Sequence, residues 1–281
     1  LGYSEARWRK LNDELQVAAL AVPEVLGGHG FGFADLGVVL EETGAALLPE
    51  PILASAVVAA QALVRADDAE SVADLLAEVL EGARTVGVAL DGQVTLATGG
   101  AGPVVSGTVE GVLWGQTIDS LVVAAVSGGE RVLVMVDLAG AGRQAREVVD
   151  LTRRRADLRL EAAPARVLVG AGRFRDVLRE LHLITGAALA AEPAGIASRL
   201  LDDTVAYVQQ RHQFGRSIGS FQAIKHRLAD MLVDRERARS AAMYALAVLD
   251  QEDATDVDLA VGGAGAGGAD PLSAPAGEAR Q

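Results

Sequence analysis

The sequence contains no cysteine in 281 residues. Disulfides, thiolate nucleophiles and cysteine-ligated metals are excluded by that absence. Histidine is scarce too, with four residues at 29, 182, 212 and 226 and no His-Glu-x-x-His or comparable spacing, so no metal site is expected. Basic residues are outnumbered, 25 Lys and Arg against 38 Asp and Glu, for a net charge of -13. Duplex nucleic acids are poor partners for such a surface, because affinity for phosphate backbones rests on clustered Lys and Arg. A single anion-binding pocket is still compatible with it, since net charge governs solubility and steering more than one local site. No apolar run approaches membrane-spanning length, and Leu1 to Lys10 has neither a basic apolar signal segment nor an initiator Met. The expectation is a cytoplasmic protein, shown without its native start, that engages neither membrane nor nucleic acid.

Half of the residues are hydrophobic and 22% are charged, the balance of a globular chain with one or two domains. Residues 1–83 read as helical, with Trp8, Leu11, Leu15 and Ala18 forming a stripe before a glycine-rich bend, Val22 to Gly32. The Gly28-x-Gly30-x-Gly32 spacing is not the dinucleotide fingerprint and no strand precedes it, so it is not read as a nucleotide loop. A helix over Phe33 to Ala46 carries Glu41 and Glu42, which point to different sides and read as a solvated or interface face. Ala-rich helices are expected over 54–64 and 72–80, the second capped from Asp67, Asp68 and Ser71. Residues 84–169 change to short β-branched runs at 86–88, 94–96, 104–105, 112–114, 121–126, 132–136, 158–160 and 165–169. Residues 170–250 return to helical spacing. The remainder, 251–281, reads as a low-complexity tail without a helical stripe, and its glycines lack the strand and the Gly-Lys-Ser/Thr of a phosphate loop. The fold class is mainly α with an inserted β-domain, and the second helical region looks incomplete.

The most informative stretch is Arg211-His-Gln-Phe-Gly-Arg-Ser-Ile-Gly-Ser-Phe-Gln-Ala-Ile-Lys-His-Arg-Leu-Ala-Asp-Met231. Leu183, Ala187, Ala191, Leu200, Val205 and Val208 keep helical spacing before it, and Phe221, Ile224, Leu228, Met231 and Leu232 within and after it. Phe214-Gly215 and Ile218-Gly219-Ser220 break the period, with Ser220 expected to cap the second helix. An isolated Arg211 would read as a solvated charge at a helix end. Arg211, Gln213, Phe214, Gly215, Phe221, Gln222 and Leu228 to Met231 together resemble the acyl-CoA dehydrogenase family, with its Arg-x-x-Phe-Gly turn, Phe-Gln pair and Leu-Ala-Asp-Met run. The helical, β, helical order is similar to that family's architecture as far as about residue 250.

The resemblance implies FAD as cofactor and a role for this turn at the pyrophosphate and adenine half of an FAD bound mainly by a neighbouring subunit. Arg211 would pair with phosphate oxygens, Gln213 would donate a further hydrogen bond, and Phe214 would offer an apolar face. Other motifs of the family are eroded. Where a Thr-Glu-x-Gly-x-Gly-Ser-Asp segment is expected, the chain has Val88-Ala-Leu-Asp-Gly-Gln-Val-Thr95 and then Gly99 to Pro103. In Gly107-Thr-Val-Glu-Gly-Val-Leu-Trp114, Val109 replaces a Lys, and Gly111 and Leu113 replace the aromatic and the Thr that would meet the flavin ring. Trp114 is out of register and reads as core. The Arg153-Arg154-Arg155 run reads as a solvated loop in preference to a CoA phosphate site.

In the family a Glu removes the α-proton of the acyl-CoA while flavin N5 takes the β-hydride. Its helix position falls here at Thr185, and the substrate Arg at Gly186; Glu180 and Glu192 are not at helical repeats from that point. No catalytic residue is therefore assigned. The expectation is a non-catalytic partner subunit of a heteromeric acyl-CoA dehydrogenase, supplying Arg211, Gln213, Phe214 and Gln222 to an FAD whose flavin ring belongs to a homologous catalytic subunit. Bulky acyl-CoA esters such as steroid side chains, and electron-transfer flavoprotein or a similar acceptor, follow by analogy. Competing readings are an active homomeric dehydrogenase, a truncated or purely structural member without flavin, and a flavin-dependent monooxygenase on the same fold.

Overall fold

Helix α1 (Glu5–Asp13) begins where the Ser4 hydroxyl accepts from the Arg7 amide at 3.3 Å. It buries Trp8, whose Nε1 donates to the Gly82 carbonyl at 2.9 Å. A computed structural model describes residues 2–99, 102–251 and 260–264 of the chain. The expected readings of residues 100–101, of most of the 251–281 tail and of Leu1 lie outside the described residues. In the bend after α1, the Gly28 amide donates to the Pro23 carbonyl and the Gly30 amide to the Val22 carbonyl. A Cβ on Gly28 would stand 2.1 Å from the Val22 oxygen, so this glycine serves a backbone crossing.

Residues Ile52–Ala59 form a wide π-helical stretch that runs into α3 (Ala60–Val64), earlier than the expected start at 54. All of Ile52–Ala59 is buried, and Ser55 Oγ accepts from the Val86 amide at 3.1 Å. Helix α4 (Ala73–Leu80) follows a 3-10 turn in which Asp68 accepts from the Ser71 amide. Asp67, expected to help cap this helix, instead accepts from the Gly170 amide at 2.7 Å and from Arg173. Sequence proximity made it look local, but its partners lie more than a hundred residues away.

The eight expected runs fall in five strands, β1 (Val86–Gly99), β2 (Gly102–Leu113), β3 (Ser120–Ser127), β4 (Glu130–Asp137) and β6 (Arg155–Val169), and β5 (Gly142–Arg146) is added to them. Their order is β2-β1-β3-β4-β6-β5, and β6 also pairs with β2, which closes a small barrel and leaves β5 on its outer edge. β1 and β3 are parallel; the other pairs are antiparallel. Val94, Val105, Leu121, Val123, Val134, Leu158 and Leu160 fill the barrel. Polar β5 carries no β-branched residue and was not expected. Between Val109↔Leu158 and Val112↔Ala156 the β2–β6 register slips by one residue, at a Gly111 with φ 65°. That bulge exchanges the inward and outward positions beyond it. Trp114 is buried as expected and donates from Nε1 to the Pro49 carbonyl at 2.7 Å.

The chain divides into two compact units, Leu1–Phe31 with Leu48–Thr185, and Gly32–Leu47 with Gly186–Gln281. The second unit holds α2 (Phe33–Ala45), most of α5 (Ala171–Gln210) and all of α6 (Gln222–Leu249). The Asp250 carboxylate accepts from the Phe33 amide at 2.7 Å and the Ala34 amide at 3.1 Å, capping α2 from the end of α6. Close approach of α2 and α5 depends on glycine: a Cβ at Gly195 would lie 1.8 Å from the Glu41 oxygen, and one at Gly44 2.2 Å from the Glu192 oxygen. Glu41, expected to be solvated or an interface residue, pairs with Arg239 at 2.6 Å; Glu42 is exposed. Residues 260–264, within the stretch read as a tail, form a helical turn with Val261 close to Gly186. Small residues make that packing, so no apolar stripe announces it.

Candidate functional site

The elbow between α5 and α6 is a two-stranded hairpin, β7 (His212–Gln213) and β8 (Arg216–Ser217). His212 pairs with Ser217 and Gln213 with Arg216, and the Ile218 amide donates to the Arg211 carbonyl at 2.8 Å, lengthening the ladder by one bond. Phe214 and Gly215 make the turn with φ of 55° and 78°. Two consecutive left-handed residues define a type I′ turn, which matches the twist of a tight hairpin. Glycine accepts that geometry freely, whereas a bulky side chain such as Phe is an uncommon occupant.

Side chains alternate across such a ladder and direct partners share a face. Arg211, Gln213, Arg216 and Ile218 therefore occupy one face, with His212 and Ser217 on the other. Phe214 projects from the turn, 91% exposed, with its ring edge-on to Phe221 at a centroid distance of 6.1 Å. The Arg216 guanidinium lies 4.0 Å from the centroid of that Phe221 ring. Among the described residues, the side chains of Arg211, Gln213 and Arg216 have no hydrogen-bond or ion-pair partner, in a chain with 38 carboxylates. The donors on this face are thus free to meet an external acceptor.

Gly215 leaves open space around its α-carbon. Gln222 opens α6 and its amide meets His226 Nε2 at 2.8 Å. Ser220 does not cap the helix as expected: its hydroxyl donates to the Ser217 carbonyl at 2.7 Å inside the 3-10 turn Ile218–Ser220. Phe221 occupies the N-cap position and, among the described residues, no side chain satisfies the first amides of α6. An uncapped helix start favours negative charge. Arg216 is the residue that sequence reasoning did not assign. Its signal lay in the two-residue turn, which places position 216 opposite Gln213.

The positions expected for catalysis hold no titratable side chain. Thr185 Oγ1 donates to the Leu181 carbonyl at 2.6 Å, and a Cβ on Gly186 would come within 2.7 Å of Val261 Cγ1. Glu180 pairs with Arg65 at 2.6 Å. In the barrel, Val109 is buried in the core and the Gly111 amide donates to Asp157 at 2.8 Å. Arg153 pairs with Asp150, while Arg154 and Arg155 are exposed. Among the described residues no cluster of His, Asp or Glu could hold a metal ion, and no helix is long and apolar enough to cross a membrane.

Residues 183–264 match the family model of the acyl-CoA dehydrogenase C-terminal domain. Acyl-CoA dehydrogenase IpdE2 of Mycolicibacterium smegmatis is 37% identical over 240 residues, 85% of this chain and 65% of the relative, so the chain spans less than two thirds of that protein's length. Two solved structures are similar over 96% of the chain. The Tcur3481-Tcur3483 steroid ACAD G363A variant is 32% identical with a TM-score of 0.81, and 76% of that chain is covered. The ChsE4-ChsE5 complex from Mycobacterium tuberculosis is 31% identical with a TM-score of 0.85 over 74% of that chain. With these identities and coverages, the helical, barrel, helical fold and the Arg211 to Met231 elbow, the chain belongs to the acyl-CoA dehydrogenase family.

Proposed function

We propose that this chain takes part in the FAD-dependent α,β-dehydrogenation of an acyl-CoA thioester as a partner subunit, contributing the α5–α6 elbow to the diphosphate and adenine half of FAD. One observation carries the reading: Arg211 and Gln213 share a hairpin face, their side chains without a hydrogen-bond or ion-pair partner among the described residues, beside an exposed Phe214. Members of the family are FAD flavoproteins, and the donor chemistry of this face fits a diphosphate, since a guanidinium forks onto phosphate oxygens and an amide adds a donor. Phe214 gives a purine an apolar surface.

The opposite end of the cofactor finds less here. Val109, Gly111 and Leu113 offer the flavin ring no side-chain hydrogen bond, and Thr185 holds its hydroxyl on the helix backbone. When bound, FAD supplies the hydride acceptor of the reaction. In this reading the α-proton is removed by a carboxylate of the catalytic subunit, and this chain binds and orients. The similarity to the Tcur3481-Tcur3483 steroid ACAD and to the ChsE4-ChsE5 complex supports a hetero-oligomer acting on a bulky acyl-CoA. The exposed Leu200, Tyr207, Leu232 and Val233 on α5 and α6 supply apolar surface for such an assembly.

The test is the visible absorption spectrum of the chain purified alone and after co-expression with an acyl-CoA dehydrogenase encoded beside it. Flavin bands in the co-purified complex, lost on Arg211→Ala, support the reading. A chain that oxidises acyl-CoA without a partner, or a complex that forms without flavin, contradicts it.

A further inference from the structure

Arg216 is held in an unusual way for an exposed arginine. Its guanidinium lies over the Phe221 ring at 4.0 Å, yet no carboxylate or carbonyl among the described residues receives its N–H groups. Most arginines with a described partner in this acidic chain are tied to carboxylates, as Arg65, Arg146, Arg166 and Arg239 are. A guanidinium seated over an aromatic ring is held by the ring's π face and still has N–H donors for an anion. The pairing of Gln213 with Arg216 puts that fork on the same ladder face as Arg211, whose direct partner is Ile218. Diagonal neighbours on such a ladder lie roughly 7–8 Å apart at their α-carbons, within reach of long side chains. Two cations thus flank Gln213.

We propose that Arg216 is a second anion-binding residue of the elbow, so that Arg211 and Arg216 together clamp a diphosphate ester, with the Phe221 ring fixing the Arg216 fork in advance. A pre-placed fork loses less conformational freedom on binding than a free arginine does. This inference rests on the proposed FAD role and names a residue of that same site. The ligand class is a dinucleotide or nucleoside diphosphate, whose two phosphates match two separate guanidinium groups.

The experiment measures FAD affinity, and its displacement by ADP, in the co-purified complex carrying wild-type chain, Arg211→Ala, Arg216→Ala or Arg216→Met. Methionine keeps an unbranched stem over Phe221 and a favourable sulfur–ring contact, but removes the charge. A residue that only packs would be replaced by it. The expected result is a loss of about tenfold or more in affinity for both FAD and ADP with Arg216→Met, equal to that with Arg216→Ala, the scale of one charge-assisted hydrogen bond. Circular dichroism and thermal unfolding should match the wild type. If Arg216→Met stays within about twofold of wild type while Arg211→Ala weakens FAD, the second-cation assignment is wrong and the FAD role stands. Unchanged FAD affinity with Arg211→Ala, or no FAD in the wild-type complex, removes the reading and the inference together.

Discussion

Arg216 and Phe221 are joined by a cation–π contact of 4.0 Å that ties the tip strand of the hairpin to the residue preceding α6. An exposed contact of this kind is worth about 0.5–1 kcal/mol. Phe221→Leu should therefore weaken FAD retention by about two- to fivefold, less than removal of Arg216 itself, when measured by flavin titration of the complex. A loss as large as that of Arg211→Ala would mean that the ring itself binds the ligand.

Gly215 has a φ of 78° with open space around it, so an added methyl meets no atom and only the backbone resists. Gly215→Ala should cost about 1 kcal/mol at the hairpin. Hydrogen exchange at the Ile218 amide, which donates to Arg211, should quicken correspondingly, while protection in the middle of α6 stays unchanged.

The cap on α2 comes from Asp250, 217 residues downstream of Phe33. Replacing an N-cap carboxylate by alanine costs about 0.5–2 kcal/mol. Asp250→Ala should lower the denaturant midpoint accordingly, and Asp250→Asn should recover part of the loss by keeping one acceptor. Equal stability of the alanine variant would mean that the two amides find another acceptor.

Gly195→Ala tests the helix contact. Its new Cβ would stand 1.8 Å from the Glu41 carbonyl oxygen, a backbone atom that cannot rotate away, so α2 and α5 must separate. Overpacking of this kind costs about 1–3 kcal/mol. An unfolding midpoint equal to the wild type's would show that the helices slide apart freely.

Acid should loosen the loop that carries the exposed Val149 and Leu151. Asp150 is held below the usual carboxylate range, first by the Thr152 hydroxyl, then by the Thr152 amide and Arg153. A depressed pKa contributes order that is complete above the unfolded value, about 3.9, and is lost as pH falls through the folded value. Exchange of the Thr152 amide should be independent of this group between pH 5 and 8 and should rise below about pH 4. In Asp150→Asn the acid step should disappear.

Much of this molecule is written in local pattern. The 3.6-residue spacing around Val208 and Leu228 marks α5 and α6, and the β-branched runs mark the barrel, because burial of one face selects those residues. Trp114 was legible as core since one step along a strand changes its face. Long-range partners were not legible. Asp67 looks like a local cap and Asp250 like the end of a helical region until the fold brings Gly170 and Phe33 to them. Strand β5 is polar because it lies outside the barrel, so it lacks the composition that reveals β6. Arg216 needed the hairpin register: its role depends on lying opposite Gln213 and over Phe221, a relation that no residue type encodes alone. The residues named for the site, Arg211, Gln213, Phe214, Gly215, Phe221 and Gln222, were found through the motif, and the turn brings them to one elbow.

The central claim is that the elbow holds the diphosphate half of FAD for a partner's flavin. The most direct measurement is the ratio of absorbance near 450 nm to that at 280 nm in the co-purified complex, compared between wild type and Arg211→Ala at equal subunit stoichiometry. The account predicts flavin in the wild-type complex and its loss in the variant, with both subunits still associated. Flavin retained in full by the Arg211→Ala complex would contradict it.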